Sequence, residues 1–557
     1  MRASLISRGL AACLAVSHGA NAVIHGAHDA KLHDQNEAIV PNAASAEKNA
    51  HEIFNQLNNA GRQWGSSVKH NGVGFFPAVV PAGTLMYHGT RRQQPPEGLE
   101  WLAFEIEHAE AFGSSWLGGP GQPSKGQQVQ AEAGQGQKQL RPQPRTTEAH
   151  TDSGNMRGYV HTYQATRDLR ILYLDGMAAA KTNMGTLDTQ DLVLCEDKVN
   201  TTKDHFMGET IRTEMICDML KDVDYDGYVR LEIGFEIVYC DFNKGVELLS
   251  ARRTFFTEEK AGDDGLQLFQ WTRAVAERYN GLGVDRFKID FSSIVSGWFF
   301  PINVTNTSSD RSDLKRLASA KQADLNVVKS HVLRSLTQPP RFTIDWQATT
   351  DEIVHRYANR LAHMVSPNIS QISFINEIET AVLTFVEAPQ LPGDVNILSD
   401  TNESTETVRE EEVQRCKEHF LLSPRKYKKS WKLEDELIHT ALVAVMEDVC
   451  NVLLSVRSKL ITAATQKGSY GLRIDSRASS NELDEAVSWG RDQVKHLVQR
   501  LDWAEWRKTR RCEVDEVMFI PMWPVGKTND FFHPGCRKTD FFGSVFEHDS
   551  YWDEYNL

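Results

Sequence analysis

The chain has no excess of basic residues, since its 61 Lys and Arg face 75 Asp and Glu and its formal net charge is −14. A protein that binds nucleic acid in general needs a basic surface to displace counterions from the phosphates. The composition therefore predicts no general nucleic-acid binding. A short basic cluster at residues 425–429 is interpreted as the solvated start of the next helix.

Several catalytic and metal-binding signatures are also missing. The sequence contains no Gly-x-Ser-x-Gly, no His-Glu-x-x-His and no P-loop, which sets aside serine hydrolases, zincins and nucleoside triphosphatases. It contains no Cys-x-x-Cys either, so a zinc ribbon is not expected. We predict no metal site.

Long apolar runs are missing as well, because no segment reads as the roughly twenty apolar residues that a membrane-spanning helix needs. The N-terminus has instead the parts of a secretory signal peptide. Arg2 and Arg8 are positive, residues 10–16 form a short apolar core, and Ala20-Asn21-Ala22 is a small-x-small cleavage site. The pattern predicts a signal peptide over 1–22 and a soluble, secreted protein with no transmembrane segment.

Glycosylation acceptors and cysteines fit that expectation. Five Asn-x-Ser/Thr sites predict a glycoprotein: Asn200, Asn303, Asn306, Asn368 and Asn402. Cys13 would leave with the signal, and seven of the eight cysteines would remain. In an oxidising compartment most should form disulfides, with one left over. Proximity in the chain favours Cys512 with Cys536 and Cys416 with Cys450.

Composition divides the chain into segments. After the signal, residues 23–50 are predicted to be a disordered linker, and the Gly-, Gln- and Pro-rich residues 115–155 a disordered insertion, because neither can bury enough apolar surface. The remaining boundaries are an α+β domain at 51–250, a connecting region at 251–313, a helical domain at 314–510 and a disulfide-pinned extension at 511–557.

Periodicity predicts the main elements. The α+β part has a helix over 49–61, a strand over 169–174, a helix over 209–221 and strands over 228–239 and 246–249. These suit a mixed sheet split around a cleft, and equally any other α+β domain.

In the helical part, apolar residues from Leu433 to Val449 predict a long amphipathic helix. A second helix should begin at Ser479, which with Glu482 forms a capping box. The apolar faces of the two helices should pack on each other or on the first domain.

The candidate site begins at residues 80–112. A strand over 84–87 is predicted to end in His88-Gly89-Thr90, followed by a strand over 101–104 and a short helix over 105–112. A histidine beside a glycine presents its ring where a ligand's backbone could approach closely.

These residues resemble the ADP-ribosyltransferase fold in its His-Tyr-Glu branch, to which the poly(ADP-ribose) polymerases belong. The first motif is Tyr87-His88-Gly89-Thr90, and the second is Trp101-Leu102-Ala103 with a helix that ends at Phe112. The third is Phe235-Glu236-Ile237-Val238-Tyr239. Trp101 stands where the family has Tyr, and the first two motifs lie unusually close together. The resemblance implies a split mixed β-sheet.

The resemblance also implies NAD as a substrate, cleaved at its nicotinamide–ribose bond by transfer or hydrolysis. Glu236 would bond the ribose 2′-hydroxyl and stabilise the developing cation. His88 would bond the adenosine ribose, Gly89 would bring its backbone to the nicotinamide amide, and Trp101 would stack on the nicotinamide ring. Thr90 completes the predicted binding residues. Glu232, four residues before Glu236, would share its face of a regular strand and is the alternative acid.

Two other functions stay open. The first is a non-catalytic secreted protein that binds a protein or small-molecule partner. The second is a carbohydrate hydrolase that uses paired carboxylates, for which Asp222, Asp224, Asp226 and Asp263-Asp264 are candidates, although such loops are more often turns. Convergence of His88, Trp101 and Glu236 on one cleft would separate these readings.

Overall fold

The computed structural model describes thirteen stretches of the chain, and residues 39–557 form one compact unit. The stretches are 39–70, 72–117, 157–182, 184, 187–200, 207–258, 265–283, 285–306, 313–387, 405–464, 480–509, 511–543 and 550–552. The predicted signal peptide, residues 118–155 of the predicted insertion, Asn402, Ser479 and Asp263-Asp264 lie outside them.

Fourteen strands are assigned in the described residues. They are β1 (Gly74–Val80), β2 (Leu85–Thr90), β3 (Glu100–Ala103), β4 (Ser115–Leu117), β5 (Tyr159–Ala165), β6 (Leu169–Leu174), β7 (Gly227–Glu232), β8 (Gly234–Tyr239), β9 (Val246–Arg253), β10 (Phe256–Glu258), β11 (Lys288–Ile289), β12 (Val295–Ser296), β13 (Val517–Phe519) and β14 (Gly535–Arg537). The main sheet has the order β11-β1-β6-β7-β8-β3-β2-β5-β9, with β12 beside β1. β6 and β7 run parallel and the other neighbours antiparallel, so the sheet is mixed.

The α-helices of the described residues lie mostly in the second half of the chain. They are α1 (Ala43–Lys48), α2 (Ala50–Asn59), α3 (Gln63–Val68), α4 (Ile106–Phe112), α5 (Glu209–Lys221), α6 (Leu266–Ala276), α7 (Gln322–Leu336), α8 (Trp346–Met364), α9 (Gln371–Val382), α10 (Thr405–Glu418), α11 (Leu422–Arg425), α12 (Leu433–Ala464), α13 (Asn481–Leu501), α14 (Thr528–Phe532) and α15 (Thr539–Phe542). The predicted α+β class, with a mixed sheet and a mainly helical C-terminal region, is confirmed.

The sheet loosens between β2 and β3. Their ladder contains the single couple Tyr87 with Ala103, whereas β2 and β5 pair from Leu85 to Thr90 without interruption. Backbone pairing between the two strands therefore stops soon on either side of Tyr87.

The segment from Tyr228 to Tyr239, predicted as one strand, is a hairpin of β7 and β8. The chain turns at Ile233-Gly234, where Gly234 has φ +93°, a conformation that favours glycine. Every residue of both strands is buried, so no polar break marks the turn in the sequence. Arg230 pairs with Glu236 across the hairpin, and Glu232 pairs with Gly234.

Part of the predicted linker is ordered. Residues 43–48 form α1, where we expected disorder to residue 50. The side chain of Asn42 accepts a hydrogen bond from the Ser45 amide at 2.8 Å, and the Asn42 amide donates to the Phe299 carbonyl at 2.9 Å. Ala46 is fully buried. Alanine favours helices, and these distant contacts supply the burial that the local composition does not predict.

The helical region shares its core with the first domain. α12 packs against α13, as predicted, and also against α1, α2, α9 and α10. The N-cap of α13 lies one residue later than expected, because Ser480 rather than Ser479 caps the helix and accepts from the Leu483 amide at 3.1 Å. The boundaries predicted at 250 and 313 therefore do not separate compact units, because α2 belongs to the helical core.

α12 differs from the expectation that no segment is long and apolar enough to cross a membrane. It has 32 residues, and by length and composition it could do so. However, 56% of its most apolar window is buried inside the protein. The core helix of a soluble protein has the same properties, and the neighbours of α12 account for its apolar surface.

Three disulfides join described residues. Both predicted pairs are confirmed, Cys416–Cys450 and Cys512–Cys536, with Cα–Cα distances of 6.0 and 5.5 Å. A third, Cys217–Cys240, ties α5 to the end of β8. Cys195 is the unpaired cysteine that the odd count predicts, and it is buried. The disulfides are compatible with an extracellular protein.

Candidate functional site

The structure places the three predicted motifs side by side. β8, β3 and β2 are neighbours in the sheet, and they carry Glu236, Trp101 and His88 respectively. At the level of strands, the residues that the resemblance selected do come together.

Their side chains do not converge on one cleft. Tyr87 pairs with Ala103, and Ala103 pairs with Glu236, so these three side chains share one face of the sheet. His88 follows Tyr87 in a strand and therefore points to the opposite face. The predicted meeting of His88 with Glu236 is corrected by this register, which no local pattern in the sequence reveals.

His88 lies inside β2 as a buried, neutral histidine. Its Nδ1 is 2.8 Å from the Trp101 carbonyl oxygen, and its ring centroid is 5.9 Å from that of His161 and 5.7 Å from that of Phe242. Burial lowers the pKa of His88 to about 4, partly opposed by the Trp101 carbonyl. The side chain bonds its own neighbouring strand.

The other predicted binding residues also serve packing. A Cβ on Gly89 would lie 1.8 Å from the Ala109 carbonyl oxygen, so glycine is needed for α4 to approach β2. Trp101 is 2% exposed, and its Nε1 is buried without a hydrogen-bond partner in the described structure. The Thr90 hydroxyl accepts from the Arg92 amide at 3.3 Å.

Glu236 is fully buried and paired. Its Oε1 accepts from Arg230 Nε at 2.5 Å, while its Oε2 is buried without a partner among the described residues. Burial raises the pKa of Glu236 to about 7, although the Arg230 guanidinium opposes the rise. A raised pKa is typical of an acid–base residue, but substrate would have to reach this carboxyl.

Glu236 belongs to a group that we call the buried charge cluster. Its members are Lys181, Glu209, Arg212, Arg230, Glu232, Glu236 and His108, each at most 4% exposed. Glu209 is the centre: it accepts from Arg230, lies 3.3 Å from Lys181 Nζ and accepts from Arg212 at 3.0 Å. Burial disfavours its charge, but these three cations hold the pKa of Glu209 well below its usual range.

Glu232, the alternative acid, is not four residues along the same strand from Glu236 but across the hairpin. Its Oε1 is 2.8 Å from His108 Nε2. Burial raises the pKa of Glu232 to about 7 and lowers that of His108 to about 4. Burial thus favours the neutral forms of both groups.

A π-helix at Thr189–Leu194 completes the cluster. Gln190 Oε1 accepts from Arg230 Nη1 at 3.4 Å, and Asp191 binds the Arg212 guanidinium. π-Helical turns often occur at functional sites. Sequence reasoning missed this cluster, for which the available signal was Arg230, a cation within an otherwise apolar strand.

An open cavity among the described residues lies elsewhere, beside β2, the residues that follow β3 and the end of α6. It has a volume of about 630 Å³, and Tyr87, Phe104, Ala274 and Arg278 are among the residues that line it. We call it the β2–α6 pocket. Ligand sites usually have 300–1,000 Å³. His88, Trp101 and Glu236 are not among the lining residues.

An ion-paired glutamate forms a buried part of the pocket wall. Glu105 is 5% exposed, and its Oε1 is 2.9 Å from Arg278 Nε and 3.2 Å from Arg286 Nη1. Burial raises the pKa of Glu105, and the two arginines oppose the rise. The Arg286 guanidinium also lies 5.5 Å from the Phe104 ring centroid.

The acids considered for carbohydrate hydrolysis form a turn after α5. Asp226 accepts two hydrogen bonds from Arg167, at 2.8 and 2.6 Å. The Asp224 side chain is 99% exposed, and its φ is +59°. Within the described residues, the pair Asp224 and Asp226 is therefore a surface turn beside a structural ion pair.

The fold and these two sites describe an α+β protein with one shared core, in which the buried charge cluster is inaccessible and the β2–α6 pocket is open. Residues 45–262 match a family model described as the YPL277C N-terminal domain. The chain is 30% identical over 390 residues to uncharacterized protein YPL277C of Saccharomyces cerevisiae, covering 59% of this chain and 77% of that protein. It therefore belongs to the YPL277C family.

A second relative from the same yeast, uncharacterized protein YOR389W, is 28% identical over 569 residues, covering 90% of this chain and 85% of that protein. No solved structure matches the chain.

Proposed function

We propose that this protein is exported and binds a small molecule in the β2–α6 pocket without using Glu236 as a catalyst. The observation that carries the proposal is that a small molecule can enter the pocket but cannot reach Glu236. The pocket is open and of ligand size, whereas Glu236 is 0% exposed and paired with Arg230. A catalytic acid must come within hydrogen-bond reach of its substrate.

Export is supported by two independent features. The signal-like N-terminus is one, and the disulfides, which persist mainly in oxidising compartments, are the other. We include glycosylation at the Asn-x-Ser/Thr sites in this proposal. Deglycosylation followed by a shift in electrophoretic mobility of the protein secreted by a eukaryotic host is the direct measurement.

A thermal-shift screen of small polar molecules tests the pocket. Ala274→Phe narrows it, and Ala362→Phe, on an exposed face of α8, is the matched control. We expect compounds that raise the Tm of the wild type and of Ala362→Phe to lose their effect on Ala274→Phe. If no compound behaves in this way, the proposal is wrong.

The second candidate is cleavage of NAD by transfer or hydrolysis, with Glu236 as the acid and His88, Gly89, Thr90 and Trp101 as the binding residues. The adjacency of β8, β3 and β2 supports it, as does the raised pKa of Glu236. This function requires the cluster to open and His88 to act with Glu236 from the opposite face of the sheet. Nicotinamide release from NAD by the wild type, lost in Glu236→Gln, would favour it, and equal or absent release would favour the binding protein.

A further inference from the structure

The charged residues of the β2–α6 pocket are graded by depth. Glu105 is nearly buried, the Arg286 side chain is 24% exposed and that of Arg278 is 43% exposed. Glu277 is 66% exposed, and Asp285 is exposed too. Apart from the buried Glu105, the two guanidinium groups are thus less exposed than the carboxylate of Glu277.

Around Glu105, the positive charges of the two arginines outnumber the single negative charge of the carboxylate. Glu105 is a single carboxylate, and it pairs with both Arg278 and Arg286. Arg278 makes its contact with Glu105 through Nε, so in the part of the chain that the structure describes the two terminal nitrogens of its guanidinium remain for a ligand. A carboxylate is the group that such a planar fork binds best.

The mouth has the opposite sign. Glu277 and Asp285 are exposed and Glu107 is half-buried, and all three line the pocket. The Arg273 partner of Glu277 is 3.9 Å away, at the limit of an ion pair. Three carboxylates near one opening attract a cation. If the ammonium group of a ligand bound there, the other end of the same ligand would face Arg278.

The pocket wall also contains a buried hydroxyl group. Thr84 lines the pocket and is 7% exposed, and its hydroxyl is buried without a hydrogen-bond partner in the described structure. Leaving a buried hydroxyl unpaired is costly. This hydroxyl has almost no accessible surface, so a ligand in the pocket would contact the charged groups instead. Leu85 and Ile106 add apolar surface beside it.

We infer that the ligand of the β2–α6 pocket is a small zwitterion of the amino-acid class. Its carboxylate would bind Arg278, and its ammonium group would face the acidic mouth. This inference rests on the proposed small-molecule function and specifies its substrate class.

Three probes that share one carbon skeleton test the inference by isothermal titration calorimetry of the full-length protein. They are L-leucine, 3-methylbutan-1-amine, which lacks the carboxylate, and 4-methylpentanoic acid, which lacks the amine. We expect L-leucine to bind, and each analogue to bind at least about tenfold more weakly, because each loses one charge-assisted contact.

Two exposed substitutions assign the ends of the ligand. Arg278→Gln should make the affinities for L-leucine and for 3-methylbutan-1-amine equal. Asp285→Asn should reduce the ratio of the affinity for L-leucine to that for 4-methylpentanoic acid. Arg253→Gln, exposed on β9, is the control and should change neither.

Equal binding of L-leucine and either analogue overturns the inference, as does L-leucine binding that Ala274→Phe leaves unchanged. If the screen finds other ligands that Ala274→Phe abolishes but L-leucine does not bind, the zwitterion is wrong and the proposed function stands. If no ligand binds in the pocket, both fail.

Discussion

Arg230 shows how much a single residue decides in this protein. It is fully buried in β7, and its guanidinium binds both Glu209 and Glu236. Burying ions is expensive, and the pairing compensates only while every partner is present. The residue that holds Glu236 in place is therefore also the residue that keeps it from a substrate.

Replacing Arg230 should destabilise the fold strongly. We expect Arg230→Met to lower the free energy of unfolding by about 3–5 kcal/mol, because it leaves two carboxylates buried without their shared cation. Urea denaturation at pH 7 measures the change, with Arg253→Met on the exposed strand β9 as the control. Adding Glu236→Gln, which leaves Glu209 with Lys181 and Arg212, should recover part of the loss, and no recovery would show that the charge left on Glu236 is not the cause.

His88 makes a prediction about pH. Burial lowers its pKa from 6.5 to about 4, so between these values the unfolded chain binds a proton that the folded protein does not. Stability must then fall as the pH is lowered through this window. From pH 7 to pH 4 we expect the wild type to lose about 3 kcal/mol more than His88→Gln.

The measurement is urea denaturation of both proteins across that range, with His355→Gln as the exposed control in α8. Parallel stability curves for the wild type and His88→Gln would contradict a buried neutral imidazole.

Among the elements, α4 and β2 approach each other unusually closely. Gly89 faces the backbone of α4 at Ala109, and His108 of the same helix reaches Glu232. The helix that follows the second motif thus covers the face of the sheet that carries Glu236.

Gly89→Ala tests this packing. The new methyl group would lie 1.8 Å from the Ala109 carbonyl oxygen, so α4 must move, and we expect a loss of about 1–3 kcal/mol in the free energy of unfolding. Gly535→Ala is the control, because the nearest atom there, 3.1 Å away, belongs to the flexible side chain of Arg537. Equal stability of the two variants would mean that α4 yields easily.

At the scale of the whole molecule, one core joins the two halves. α1 and α2, from the first sixty residues, pack against α12, and α2 also packs against α8. The helical region therefore obtains part of its buried surface from residues far away in the sequence.

This sharing predicts that residues 314–510 do not fold alone. We expect the isolated fragment to lack a cooperative thermal transition by circular dichroism, because the face of α12 that α1 and α2 cover would be exposed to water. Residues 39–557 should unfold cooperatively under the same conditions. A fragment that melts cooperatively would restore the boundary predicted near residue 313.

The sequence by itself determined local structure, namely the bounds of single helices and strands. The bounds of α5 agree with the predicted helix at 209–221, and β6 with the predicted strand at 169–174, because periodicity and turn residues act within a few positions. Two disulfides also followed from proximity along the chain. The prediction of a disordered linker was wrong at residues 43–48, because the burial of that helix comes from contacts with distant residues.

Only the tertiary structure decided which side chains meet. A strand alternates its side chains, so the register between β2, β3 and β8 placed His88 and Glu236 on opposite faces. The turn at Gly234 moved Glu232 onto another strand from Glu236. Register and turns depend on pairing between residues far apart in the chain, and for that reason the buried charge cluster and the β2–α6 pocket emerged only from the fold.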